Sequence, residues 1–252
     1  MSWFLKYIMI FTSFDYVVFL VIVFLLYWRL NNRRLQNILL LLGSYFFYGY
    51  VHPVFCLLIA GLTSVNFFCG IGMRRYEKKR KIFLVISLVI SLGVLGFFKY
   101  YNFFIDNISY TLMLIGLNFN PNELVVFLPV GISFYTFQAL SYTIDVYRKE
   151  LAPRTNFIDF ALFVSFFPQL VAGPIERAKR LLPQIETARV WDSSLFASAW
   201  PLLIRGYLKK MVIADNIAIY VNKVYMLKQP SLLLFVACTV GFAIQIYAAF
   251  SS

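Results

Sequence analysis

The chain has 252 residues, of which 61% are hydrophobic, 19% aromatic and only 13% charged, and its mean hydropathy is +0.76. Soluble domains carry about 25% charged residues, so this composition excludes a soluble globular protein and indicates an all-α polytopic membrane protein. The formal net charge of +12 does not make nucleic acid an expected partner, because the basic residues fall in short clusters between apolar runs, where the cytoplasmic flanks of spans carry them.

In chain order, residues 1–13 are aromatic and apolar with one charge, Lys6, and read as an N-terminal interfacial segment. Residues 14–252 are expected to form the transmembrane region. A first span is predicted near 14–30, ending in the interfacial pair Tyr27-Trp28 and then Arg29, Arg33 and Arg34. No small-residue cleavage site follows it, so it is expected to stay in the membrane. A second span near 35–51 returns through the His52-Pro53 turn into a third near 54–73, whose Gly61, Ser64, Gly70 and Gly72 permit close helix approach. The charge run Arg74–Lys81 reads as a cytoplasmic loop. A fourth span near 82–104 carries Lys99 close to its outer end, and 106–123 contains no basic residue. A fifth near 124–147 leads back to Arg148, Lys149 and Arg154. Basic residues thus collect on one side with only Lys99 on the other, which predicts a multi-pass protein with a non-cytoplasmic N-terminus.

The pattern then breaks. The apolar run 157–172 is only sixteen residues long, contains Pro168, and is flanked by basic residues on both sides. A hydrocarbon core needs about 20 helical residues, so the run reads as a re-entrant segment or, alternatively, as a short tilted span. Pro201 and the charges Arg205, Lys209, Lys210 and Asp215 make 195–225 an interfacial stretch, basic on one face around 202–212. A last span is predicted near 232–250. Cys56, Cys69 and Cys238 lie in apolar runs without C-x-x-C spacing and read as small buried hydrophobes, so no metal site is expected.

Between Pro129 and Arg177 polar residues sit among aromatics at lipid depth: Gly131, Ser133, Tyr135, Thr136, Gln138, Ser141, Asp145 and Gln169. Each unpaired polar group there is expensive, so these residues are expected to face protein or a watery cavity. The segments Gly131-Ile-Ser-Phe-Tyr-Thr-Phe-Gln138, Tyr142–Arg148, Phe166–Glu176, Phe98–Phe104, Ser44–Tyr48, Leu208-Lys209-Lys210 with Ala214-Asp215, and Gln245-Ile246-Tyr247 resemble the membrane-bound O-acyltransferase (MBOAT) family. The resemblance is to its bacterial branch of alginate O-acetyltransferase membrane subunits and related polysaccharide acetylases. It runs from about Met9 to the end of the chain and departs from the family pattern at Ala249, where the family has an acidic residue.

The resemblance implies the first half of the MBOAT fold in a bacterial inner membrane. It implies O-acetylation of an exported polysaccharide such as alginate from acyl-CoA or another acyl thioester, with no bound cofactor. Membrane lipid, the acyl donor, the polysaccharide acceptor and export or acetylation proteins are the implied partners. The family's tryptophan-histidine motif and the histidine thought to be catalytic are not in the sequence, so no catalytic residue is assigned. The chain is expected to be an N-terminal fragment that transfers no acyl group alone. His52, the sole histidine, lies in a turn far from the central motifs and is not expected to replace it.

The substrate-tunnel candidates on this analogy are Gln138, Asp145, Gln169, Gly173, Pro174 and Glu176, and the donor-binding candidates are Arg177, Lys209 and Lys210. Each has a plainer reading: Asp145 with Arg148 as a helix-end ion pair, Gln138 and Gln169 as interhelical hydrogen-bond glue, Gly173-Pro174 as a backbone breaker, Lys209-Lys210 as a headgroup contact. A transporter with a polar pathway, or a non-catalytic membrane assembly subunit, are the alternative functions.

Overall fold

The structure is a computed structural model, and it describes residues 13–50, 53–116, 128–170, 176–227 and 231–251. All regular secondary structure among them is helical: α1 Phe14–Arg29, α2 Arg33–Gly49, α3 Val54–Arg75, α4 Arg80–Leu114, α5 Ile132–Tyr147, α6 Phe157–Ser165, α7 Phe167–Leu170, α8 Ala178–Glu186, α9 Ser193–Leu208, α10 Asp215–Tyr225 and α11 Leu232–Phe250. Among the described residues three stretches are long and apolar enough to cross a membrane, Val54–Arg75, Glu77–Leu114 and Leu232–Ala249. The chain is a polytopic all-α membrane protein. The expected interfacial segment, apart from Ser13, and His52 lie outside the described residues.

Two compact units divide the chain, one holding residues 23–171 and 175–188, the other 9–22, 172–174 and 189–252. In the first, the turn from α1 to α2 is built by side chains. Asn32 Oδ1 accepts from the Arg34 amide at 2.8 Å, an N-cap that satisfies one orphan donor of α2. The Gln36 amide donates to the carbonyls of Tyr27 and Leu30 at 3.2 and 2.8 Å, closing the end of α1.

Buried polar groups fix the register of α3, α4 and α5. Asn66, fully buried on α3, donates to the Leu62 carbonyl at 2.8 Å and to Ser91 Oγ at 3.1 Å, and accepts from Ser87 Oγ at 2.7 Å and Thr143 Oγ1 at 2.8 Å. One amide therefore joins three helices with its own capacity filled, which is how a polar residue is tolerated at lipid depth. Gly70 is the close approach of α3 to α5, since a Cβ there would stand 2.9 Å from the Tyr142 ring and hydroxyl. Gly72 meets Phe83 in the same way, whereas a Cβ on Gly61 would meet nothing within 4 Å, so that glycine does not serve the close approach expected of it.

The helix bounds differ from the sequence expectation at two places. At 35 residues α4 continues to Leu114, ten residues past the expected end near 104. At 1.5 Å per residue it is about 52 Å long, more than the roughly 30 Å hydrocarbon core, because 105–114 has no helix-breaking proline or glycine. Conversely, α5 begins only at Ile132, although the expected span starts near 124; residues 124–127 lie outside the described residues. Pro129 supplies no amide donor and Gly131 has φ 74°, so the chain turns before it can enter the helix.

The exit of α5 is a Schellman stop. Lys149 has φ 62°; its amide donates to the Val146 carbonyl at 3.1 Å and the Glu150 amide to the Asp145 carbonyl at 2.9 Å, the pairing that closes a helix on a left-handed residue. The Arg80 guanidinium adds hydrogen bonds of 2.7 Å to the carbonyls of Val146 and Tyr147, placing a cation at the negative end of the α5 dipole.

In the second unit helix runs through α9, a π-helical turn Lys209–Ala214 and α10. Asp192 caps α9 by accepting from the Ser194 and Leu195 amides at 2.8 and 3.3 Å, which with the Ser194 hydroxyl holds its carboxyl below the usual range. Pro201 lies inside α9 without ending it. The lost amide is accommodated locally, and the π turn eight residues on is where the ladder changes step. Contacts between α10 and α11 are close, with Val221 Cγ2 standing 3.4 Å from where a Cβ on Gly241 would lie.

Candidate functional site

Of the tunnel candidates, Gln138 is buried and its amide donates to the Phe163 carbonyl of α6 at 2.6 Å. That bond pins α5 to α6, so the interhelical reading of Gln138 describes its donor side. Asp145 forms no ion pair with Arg148, which removes the helix-end pair expected for it; its Oδ2 is buried without a hydrogen-bond partner. Backbone geometry gives the reason: the Schellman stop turns the chain at Arg148 and Lys149, so both point outward while Asp145 stays on the inner turn. Gln169 lies in α7 with Oε1 also buried and unpartnered. Gly173 and Pro174 lie outside the described residues. Glu176 is half-buried, and Arg177 is exposed at the start of α8.

The donor candidates do not form one cluster within either unit. Arg177 belongs to the first unit and Lys209 and Lys210 to the second. Lys210 Nζ pairs with Asp215 at 2.7 Å, and Lys209 Nζ donates to the carbonyl and hydroxyl oxygens of Ser251 at 3.3 Å. Both lysines therefore spend their charge locally.

Thr136, one of the polar residues expected to face protein or a cavity, is fully buried one turn before the centre of α5 and keeps an unpartnered Oγ1; together with Gln169 Oε1 it leaves unused hydrogen-bonding capacity in the first unit that a polar group could take. One feature escapes the sequence reading. It is a clamp at the polar end of that unit. Asp159, 4% exposed in the first turn of α6, accepts from Asn37 at 2.7 Å and Asn156 at 2.8 Å and lies 3.5 Å from the Arg33 guanidinium. Asn37 also donates to the Ile185 carbonyl at 3.0 Å, and Arg33 to the Glu186 carbonyl at 2.5 Å.

Both ends of the stretch 157–186 are thus tied to α2 at one place. Glu186 pairs with Arg154 at 2.6 Å, yet burial outweighs that guanidinium and raises its carboxyl above the usual range. α6 is nine residues long and ends at Phe166, where ψ is 109°; α7 follows. α8 is an amphipathic helix, with Ala178, Leu182 and Ile185 buried; from sequence, 181–194 reads as a surface stretch. A signal was present in the spacing of those three residues, but Pro183 obscured it.

No family model matches the chain. It is 38% identical over 229 residues to a probable alginate O-acetylase of Pseudomonas aeruginosa, covering 88% of this chain and 43% of the relative. The identity to the corresponding protein of Azotobacter vinelandii is 35% over 229 residues, covering 88% of this chain and 45% of that one. The chain is a homologue of the alginate O-acetylases. It belongs to the MBOAT-like O-acetyltransferase branch that its motifs resemble, a placement that also fits its 31% identity over 216 residues to a peptidoglycan O-acetyltransferase of Helicobacter pylori, covering 75% of this chain and 40% of the relative. The chain spans less than half the length of these O-acetylase relatives.

Proposed function

We propose that this chain is the part of a polysaccharide O-acetyltransferase that walls the acyl-transfer path, with acetyl-CoA or another acyl thioester as donor and an exported polymer of the alginate kind as acceptor. The observation that carries the reading is 31–38% identity, over three quarters or more of the chain, to proteins named for O-acetylation of extracellular polymers. Thr136 Oγ1 and Gln169 Oε1, buried and unpartnered, support it as polar contacts for substrate. The same reading puts the protein in a bacterial inner membrane with its N-terminus outside and the segment 157–172 re-entering from the cytoplasm, alongside export and acetylation partners. Asp145, Gln169, Glu176, Gly173 and Pro174 are then candidate tunnel residues, and Lys209 and Lys210 candidate donor contacts within the second unit.

The test is genetic. Deleting the gene that contains this sequence removes base-labile ester acetate from the exported polysaccharide, measured by NMR; unchanged acetate overturns the proposal. Complementation with Gln169→Leu restores normal protein levels but only a fraction of the acetate.

A further inference from the structure

At one end of the first unit α3 stops, α4 starts and α5 stops. Two exposed tyrosines stand there, each beside an arginine: the Arg75 guanidinium is 5.9 Å from the Tyr76 ring centre and the Arg80 guanidinium 5.7 Å from that of Tyr147. Tyrosines gather at the headgroup level of membranes, and α3 and α4 are both apolar and long enough to cross. This end of the unit therefore lies at the depth of phosphates.

The corner between the α5 exit and α8 carries a group of unpaired cations around an anion. α8 turns Ala178, Leu182 and Ile185 inward and so presents Lys179 and Arg180 outward. Lys179 pairs with Glu150, just past the Schellman stop. Arg148, Lys149, Arg177 and Arg180 are exposed, and none of their side chains makes an ion pair or hydrogen bond among the described residues. Arg148 and Arg177 nevertheless stand near enough to Glu150 to act, after Lys179, in holding its carboxyl below the usual range. Three cations thus act on one carboxylate, with Lys149 and Arg180 next to them in the chain, although like charges repel unless an anion joins them.

We propose that the α5–α8 corner binds anionic phospholipid headgroups, with Arg148, Lys149, Arg177 and Arg180 on the phosphates and Glu150 holding Lys179 until lipid displaces it. An acidic protein partner would meet the same charges, but the flanking tyrosines set the corner at headgroup level and favour lipid. Lys179 of α8 pairs with Glu150, and Arg148 and Arg177 act on the same carboxylate, which brings the α5 exit and the start of α8 together.

The test uses the purified chain in neutral detergent, titrated with phosphatidylglycerol, phosphatidylcholine or inorganic pyrophosphate and read by native mass spectrometry. Wild type retains phosphatidylglycerol over phosphatidylcholine, and rising salt weakens it. Replacing Arg148, Lys149, Arg177 and Arg180 together by Gln weakens phosphatidylglycerol by roughly 100-fold or more, since each cation near an anionic surface contributes about a fivefold factor. Arg205→Gln with Lys223→Gln, two exposed cations elsewhere, changes it less than twofold. Glu150→Gln tightens binding, a change of opposite sign that a variant with a damaged fold does not produce. Equal retention of both lipids, an unaffected quadruple variant, weaker binding by Glu150→Gln, or pyrophosphate binding that outcompetes phosphatidylglycerol overturns the proposal, the last by assigning the corner to a soluble phosphate ligand.

Discussion

The two units bury polar groups in opposite ways. In the first, Asn66, Thr143, Asp159 and Asn37 are almost wholly enclosed and bonded across helices that are 21 to 122 residues apart in sequence. In the second, the described polar bonds are mostly local, such as the Asp192 cap and the Lys210–Asp215 pair five residues apart, and apart from Tyr16 the buried side chains are small or apolar: Ala214, Val221, Cys238 and Ala248. Apolar packing against lipid gives helices little reason to choose one partner, because lipid tails are as apolar as leucine. The first unit is specified by hydrogen bonds; the second is specified mainly by its turns and by fit between α10 and α11.

The sharpest way to break that contrast is Asp159→Ala, which strands the Arg33, Asn37 and Asn156 donors and is expected to cost about 3–5 kcal/mol in unfolding experiments in detergent. A smaller loss is expected of Gly70→Ala, about 1–3 kcal/mol, because the new methyl meets a Tyr142 that is held by the Arg154 amide at 2.9 Å and by the Phe160 ring at 4.5 Å. Lys149→Gly should stabilise the α5 exit by about 0.5–1 kcal/mol, relieving a left-handed residue. In the second unit, Lys210→Gln should shift stability by no more than about 0.5 kcal/mol, since both partners are substantially exposed; a loss as large as that of Asp159→Ala would erase the contrast.

A pH experiment sharpens it further. Burial raises the Glu186 carboxyl above its ordinary 4.5, so the folded state holds that proton more tightly than the unfolded one. The associated stability is present below pH 4.5 and is lost as pH rises through the folded value. Glu186→Gln should remove that decline, giving a flatter stability profile than wild type above pH 4.5, read as thermal midpoints across a pH series.

Apolar runs made the helical class and much of its order legible in the sequence, because length and hydropathy are local properties. Long-range hydrogen bonding was not. Arg33 and Arg80 read as topology charges, and each also bonds backbone carbonyls, Arg33 at Glu186 and Arg80 at Val146 and Tyr147. Asp159 drew no attention, since its partner Asn37 lies 122 residues away and nothing near it signals a carboxylate. Asp145 illustrates the opposite error: the i,i+3 spacing to Arg148 suggested a pair, but the spacing holds only while the helix lasts, and the left-handed Lys149 ends it. Among the site candidates, the polar streak on α5 was visible as residue types, whereas the distinction between spent Gln138 and unspent Thr136 and Gln169 needs coordinates.

The Asn66 amide also implies an order of assembly. Its α4 partners, Ser87 and Ser91, follow it by 21 and 25 residues, but Thr143 comes 77 residues later. During synthesis the α3–α4 hairpin therefore inserts first with one acceptor site of that amide still vacant. A helical hairpin with a vacant polar site inside the bilayer selects the next helix able to fill it, so the hairpin acts as a template, and α5 docks by completing a bond that its predecessors left open.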